Sequence, residues 1–393
     1  TIVAGGANRI FNLNIREDDS AFPVTIGGMT LARGNVQGTD EDDAGGAIFN
    51  REALTVTEVI FFDNSATMGG GAIYNAFGSV DVRRSLFLEN GSSLGGAVLN
   101  GPDTDMSDMP APSTTIRNST ITGNTAGEGG GIYNRFGDMR LYHNTIRYNR
   151  GYYAGGIGSR GNPVPEDEME EPVPVVETFV GHNIIHGNTE LFVEQGGGGL
   201  ADLDTVGVTD DEEPMPLLPS ITSRGFNIIG IPGGNIETDG SDLLQTDPLL
   251  LPLGNYGGVM PVFYPQSDPQ LGTVSPAIDA GDPFIVLGNA RFESFGPFEQ
   301  RGRHFDRVAQ GLAASMSPVI DIGAVEVQQG VFVVDSLEDE SDLQYSLAVD
   351  IIREPAPSLI GFTGYDLPGD FALREAILFS ELNPEVDPIQ FSS

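Results

Sequence analysis

The chain has 393 residues with 53 Gly, 26 Pro, 19 basic and 56 acidic side chains, and a formal net charge of −37. So acidic a surface repels phosphate backbones and excludes nucleic acid as a partner. There is no Cys and, every basic residue being Arg, no Lys, which excludes disulfides, thiol nucleophiles, zinc–thiolate sites, Schiff bases and lysine general bases.

The 39% apolar share is enough for a core, and the Gly and Pro content points to a turn-dense all-β chain. No apolar run approaches the ~20 residues of a membrane-spanning helix. The opening "TIVAGGANRIFNLN" shows neither an initiator Met nor the basic and apolar regions of an export signal. Residue 1 therefore reads as a processing or boundary site. High acidity without thiols suits a secreted bacterial surface protein.

From residue 45 a repeat emerges. "GGAIFN" begins at Gly45, "GGAIYN" at Gly70, "GGAVLN" at Gly95 and "GGGIYN" at Gly129, with degenerate copies from Ala154 and Gly197. The spacings are 25, 25, 34, 25 and 43 residues, a period of 25 with two enlargements. Between these motifs lies a second signature: "LTVTEVIFFDN" (54–64), "VDVRRSLFLEN" (80–90), "TTIRNSTITGN" (114–124), "MRLYHNTIRYN" (139–149) and "TFVGHNIIHGN" (178–188). It carries an apolar column at Val56, Val82, Ile116, Leu141 and Val180, and a second at Phe61, Phe87, Ile121, Ile146 and Ile185. A third column is Asn64, Asn90, Asn124, Asn149 and Asn188.

Alternation around each apolar column predicts strands with one buried face. The columns stand five residues apart, an odd number, so both point inward only if a bend separates them. Strands this short bury that face by stacking like residues on like from coil to coil. The predicted fold is a right-handed parallel β-helix with about 25 residues per coil. The glycines turn the corner where φ is positive or backbones approach closely, and the terminal Asn column suits left-handed bends with stacked amides.

Three acidic insertions, 101–113, 161–176 and 203–219, are predicted to leave one corner as flaps. They read as solvated loop tips, with a binding surface or divalent-cation site as the alternative. The outward positions Ile60, Phe62, Leu86 and Leu88 are apolar where later coils carry Thr120, Thr122, Thr145 and Arg147, so a cover is expected there. His182 and His186 have helical spacing. On an extended segment, however, four residues part them by about 13 Å, and they read as surface histidines.

Beyond about 220 the rhythm fades into "SRGFNIIG" (223–230), "TDPLLLPLGNYGG" (246–258), "SPAIDAGDP" (275–283), "EQRGRHFDR" (299–307) and "IDIGAVEV" (320–327). In this order, after glycine-rich coils, these resemble the terminal section of bacterial choice-of-anchor Q surface proteins. The "GGAIYN"-type coils resemble the repeats of chlamydial polymorphic outer-membrane proteins. "VFVVDSLEDESD" (331–342) with "DFALREAI" (370–377) resembles the CSLREA element, with Phe371 and Ala372 where that family has Cys and Ser. The resemblance implies a short capping helix in that element, here placed last rather than first. Three regions follow: coils over 1–220, a terminal β section over 221–330 and the cap element over 331–393. Leu373, Arg374, Glu375, Ile377, Ile389 and Phe391 are the residues expected to engage the next unit.

Many β-helices are polysaccharide lyases or glycosidases. Arg83, Arg84, Arg117 and Arg140 are where a lyase base would stand, but no Asp cluster lies beside them in register, and no catalytic residue is assigned. Asp279, Asp282 and Asp321 flank Gly turns; they read as turn caps, with a calcium site as the alternative. The expected function is structural and non-enzymatic: an extracellular unit of a bacterial surface filament, tandem array or adhesin, joined head-to-tail to copies of itself. A carbohydrate-active enzyme and a calcium-dependent module binding glycans remain the rival readings.

Overall fold

A computed structural model describes residues 1–6, 8–14, 21–40, 43–102, 111–160, 162–163, 176–191, 201–206, 217–218, 220–233, 236–268, 273–285, 296–303, 305–308, 319–327, 333–334 and 390–391. The described residues hold strands, turns and bends and no helix. The chain divides into two units, Thr1–Asp247 and Pro248–Ser393.

The first unit is a parallel β-solenoid. One sheet stacks Phe11–Leu13, Ile48–Asn50, Ile73–Asn75, Val98–Asn100, Ile132–Asn134, Ile157–Arg160 and Leu203–Val206. A second, narrower sheet runs from Asn35–Val36 through Ser65–Ala66, Gly91–Ser92, Thr125–Glu128 and Arg150–Tyr153 to Thr189–Glu190. The largest contains two ladders per coil, Ser79–Arg83 and Leu86–Leu88 being one coil's pair; in earlier coils Pro23–Ala32 and Ala53–Phe62 each span both as one strand. All pairings in these three sheets are parallel.

The expected columns stack in register. Phe61, Phe87, Ile121, Ile146, Ile185 and Ile229 are successive partners, and all six are fully buried. Phe61 and Phe87 lie ring on ring, centroids 4.6 Å apart and planes within 6°. The bend demanded by the five-residue spacing is made by one residue per coil in the left-handed region: Glu58, Arg84, Asn118, His143, His182 and Phe226, with φ between 44° and 56°.

The glycine pair does two jobs. Gly70 has φ of 59°, and a Cβ on Gly71 would sit 2.2 Å from the Gly96 carbonyl oxygen of the next coil. The first glycine turns the corner and the second lets neighbouring coils touch. Ala154 occupies the turning position with φ of 51°.

Three expectations change. The left-handed residue at the second bend is not the terminal Asn but its predecessor: Asp63, Glu89, Gly123, Tyr148 and Gly187. The Asn side chain points inward instead, where its amide is needed. In the degenerate copy from Gly197 the partner of Ile157 is Leu203, three residues later than the motif spacing places it. The ladders also run past 220, through Ile228–Ile229 to Leu243–Leu244.

The apolar outward patch is partly closed: Leu86 is buried, and Ile60, Phe62 and Leu88 are half-buried. Most of the three flaps (103–110, 164–175 and 207–216) lies outside the described residues. So do Leu373, Arg374, Glu375, Ile377 and Ile389, together with the helix expected over 371–382. Phe391 belongs to a two-residue strand, Gln390–Phe391, that pairs in parallel with Val333–Val334 of the same chain. In the second unit Val262, Tyr264, Val325 and Val327 form one small core, and Ile285, Val308 and Ile320 another.

Candidate functional site

The solenoid interior is bounded by polar ladders. Each Asn of the terminal column donates its Nδ2 forward to the next Oδ1: Asn64 to Asn90 (2.9 Å), Asn90 to Asn124 (2.9 Å), Asn124 to Asn149 (2.8 Å) and Asn149 to Asn188 (2.8 Å). Each Nδ2 also donates backward to a carbonyl of the preceding coil, as Asn124 does to Phe87 (3.1 Å). Each Oδ1 also accepts the backbone N–H of the preceding Asn, as Asn124 does from Asn90 (2.8 Å). The buried amides of this column are therefore satisfied.

Such a chain of donors has a direction, and its last acceptor has nothing left to give. Asp202 closes it. Its Oδ1 accepts from the Asn188 backbone (2.6 Å) and Nδ2 (2.8 Å), and its Oδ2 accepts from the Ile231 N–H (2.8 Å). An Asn there would turn an amino group on the Ile231 donor.

A second ladder stands five residues upstream: Ser85, Ser119, Asn144, Asn183 and Asn227. It ends on Asp242, which accepts from Asn227 Nδ2 at 2.9 Å. The inner sheet carries a third, Asn50–Asn75–Asn100–Asn134, which ends on the Thr178 hydroxyl (2.9 Å). The Ser/Asn column was readable in the repeat alignment; the two terminal aspartates were not.

The row facing away from the core at Arg147, His186 and Gly230 adjoins Asp202: a Cβ on Gly230 would lie 2.2 Å from Asp202 Oδ2 and 3.1 Å from His186 Cδ2. Burial pushes the Asp202 carboxyl up to about 6, against the pull of its hydrogen bonds and of Arg147. Burial, then the Arg147 cation, lowers His186 below the ordinary imidazole value.

His182 is not a surface histidine. It is 5% exposed and stacks between His143, with ring centroids 4.6 Å apart, and Phe226, at 5.1 Å. The bend at His182 puts it in a different row from His186, so the two do not converge on one ion. Among the described residues no three His, Asp or Glu side chains gather as metal ligands.

In the second unit the motifs "EQRGRHFDR" and "IDIGAVEV" meet in a buried ion network. Arg301 pairs with Glu299 (2.6 Å), donates to the Glu326 carbonyl (2.7 Å) and stacks on Phe305 (4.0 Å). Arg307 donates to the Asp321 carbonyl (2.7 Å). The calcium candidates fall at its edge. Asp321 accepts the backbone N–H of Asp279 (2.7 Å) on Oδ1 and that of Val327 (2.6 Å) on Oδ2, while Asp282 accepts from the Phe284 N–H (2.9 Å). The Asp282 contact caps a turn two residues on, whereas those of Asp321 are longer-range and tie its motif to Asp279 and Val327. Burial pushes Asp321 up to about 7 and raises Glu299.

Asp202 and Asp321 are both weaker acids folded than the ~3.9 of an unfolded Asp. Protonation therefore favours the fold, and their contribution to stability is full below about pH 4. It is lost as pH rises through about 6 for Asp202 and about 7 for Asp321. Thermal melting should accordingly shift downward between pH 5 and pH 8. Asp202→Asn should flatten the solenoid's part of that slope, by up to about 3 kcal/mol for a shift near two pH units; a slope unchanged in the variant would dissociate Asp202 from the effect.

Further ion pairs involve the large sheet. Asp81 pairs with both Arg83 and Arg117 (2.9 Å for the latter), Arg84 with Glu58 (2.9 Å) and Arg140 with Asp138 (2.9 Å). Residues i and i+2 of a strand share a face, so these partners come from local sequence or from the next coil.

Two stretches, residues 58–76 and 118–135, match the Chlamydia polymorphic membrane protein repeat. Each runs from the left-handed bend, through the ladder Asn, to the glycine corner and the inner "IYN" strand. No curated protein and no solved structure is significantly similar to the chain.

Proposed function

We propose that this chain is a structural solenoid segment of a bacterial surface protein, joined end to end with further coils of its own kind. The surface assignment is supported by the two stretches similar to a repeat named for a bacterial membrane protein. The end-to-end reading is carried by the open side of the strand Pro23–Ala32. Among the described residues that side is engaged only at Leu31 and Ala32, by Ile2 and Val3. Unpaired strand edges invite another strand, and a coil of the same or another chain is the natural occupant. The C-terminal element, residues 331–393, is its proposed source. This reading assigns no catalytic step to the chain.

Deleting 331–393 should leave the solenoid folded but convert assembled material to short or monomeric species in negative-stain images and light scattering. Normal assembly by the truncated protein would reject this end-to-end mode.

A further inference from the structure

The outer face of the large sheet carries a feature that neither the ladders nor the assembly reading uses. Register places Arg83, Arg117, Tyr142 and Gly181 in one row along the solenoid, and Asp81, Thr115, Arg140 and Phe179 in the row beside it. Arg83 and Arg117 are tied to Asp81. Further along, the pattern differs: Phe179 carries two cations, with the Arg224 guanidinium 4.2 Å and the Arg140 guanidinium 6.0 Å from the ring centroid. Arg140 gives one amino group to Asp138. Arg224 is exposed, and among the described residues no carboxylate pairs with it.

Two guanidiniums beside one ring repel each other, and water screens that repulsion only in part. An anion between them would relieve it. The Arg224 guanidinium lies over the Phe179 ring, and a guanidinium offers a carboxylate a two-toothed N–H edge. Gly181 keeps the approach open, since a Cβ there would meet Tyr142 Cδ1 at 3.1 Å and Arg224 Cβ at 3.4 Å. Tyr142 lies in the neighbouring row; burial raises its phenol, and Arg140 and Arg224 pull it the other way.

We propose that Arg140, Tyr142, Phe179 and Arg224 form a subsite for a carboxylate of an acidic polysaccharide, a uronate unit lying against the sheet. The guanidinium fork selects a planar carboxylate, and the aromatic surface beside it suits a flat, hydroxyl-bearing scaffold. Arg117 and Arg83, further along the rows, are already neutralised by Asp81. On so acidic a chain the contact is confined to the Arg140–Arg224 cluster, and one uronate of a short stretch is what it holds. The site needs no calcium and no second copy, so it stands or falls separately from the end-to-end reading.

The test is calorimetric titration of the full chain with a galacturonate hexamer at low salt, beside an uncharged galactose hexamer and a glutamate hexapeptide. The galacturonate oligomer should bind saturably, more weakly as salt rises, and the uncharged one should not bind. Arg224→Gln should weaken binding at least about tenfold, the scale of one charge-assisted contact. Arg224→Lys should restore it only in part, because an ammonium lacks the fork. Since Arg224 is exposed, neither variant should move the melting curve. Absence of binding, or an unchanged affinity after Arg140→Gln and Arg224→Gln together, would overturn the proposal. Equal affinity for the glutamate peptide would also overturn it, assigning the face to an acidic protein segment instead.

Discussion

Phe87→Ala should lower the unfolding free energy of the solenoid by about 3–5 kcal/mol, read as a reduced midpoint in urea. Phe87 is fully buried, stacks on Phe61 at 4.6 Å and meets Ile121 on the following coil. Neighbouring rings cannot close the hole, because each is held at its own level by backbone pairing on both sides. The loss combines the transfer free energy of the ring with a cavity that persists. In a solenoid such a loss also weakens both flanking coil–coil interfaces. Thr115→Ala, on the outer side of the same sheet, is the control and should stay within about 0.5 kcal/mol. Equal effects of the two substitutions would contradict the inward register.

Asn124→Asp should be comparably damaging above neutral pH, at about 3–5 kcal/mol, although it changes one atom. The Asn124 amino group donates to Asn149 Oδ1 (2.8 Å) and to the Phe87 and Thr122 carbonyls (3.1 and 3.0 Å). A carboxylate would face three acceptors in a site shut off from water. The sign of its pH dependence follows. The new carboxyl would be protonated in the fold far above the ~3.9 of the unfolded chain, so acidification restores stability as the proton supplies one donor again. A deficit constant from pH 8 to pH 5 would argue that the ladder does not depend on donor direction. The same reasoning explains why an aspartate is accommodated at 202 and 242, where the ladders have acceptors to provide and nothing further to donate to.

Much of this molecule was legible from residue order, for a physical reason specific to solenoids. Stacked coils place like on like, so a column in an alignment of the chain with itself is a column in space. The inward series from Phe61 to Ile185, the glycine corners and the existence of an Asn ladder follow from that one-dimensional rule, whatever the length of the intervening loops. The parity of the five-residue spacing further required a bend, though not which residue would make it. Steric and hydrogen-bonding demands decided that locally. The ladder needs the Asn side chain inside, so the residue before it takes the left-handed conformation, even where it is Asp63, Glu89 or Tyr148.

What tertiary structure alone decided lies where the repeat is interrupted or ends. Asp202 reaches Asn188 from only 14 residues away, off the ladder's steps of 25 to 39, and Asp242 meets Asn227 after the rhythm has faded. His182 is buried because His143 and Phe226 come to rest on either side of it. In the second unit no period relates Glu299, Arg301, Arg307, Asp321 and Glu326, and their charges find one another only once turns have brought two distant motifs together. Phe179 and Arg224 likewise meet only because register sets Val180 opposite Ser223. Repetition determined the core of this protein from sequence alone. Its charged contacts depend on partners at irregular separations, whose desolvation and pairing energies exist only in the folded chain.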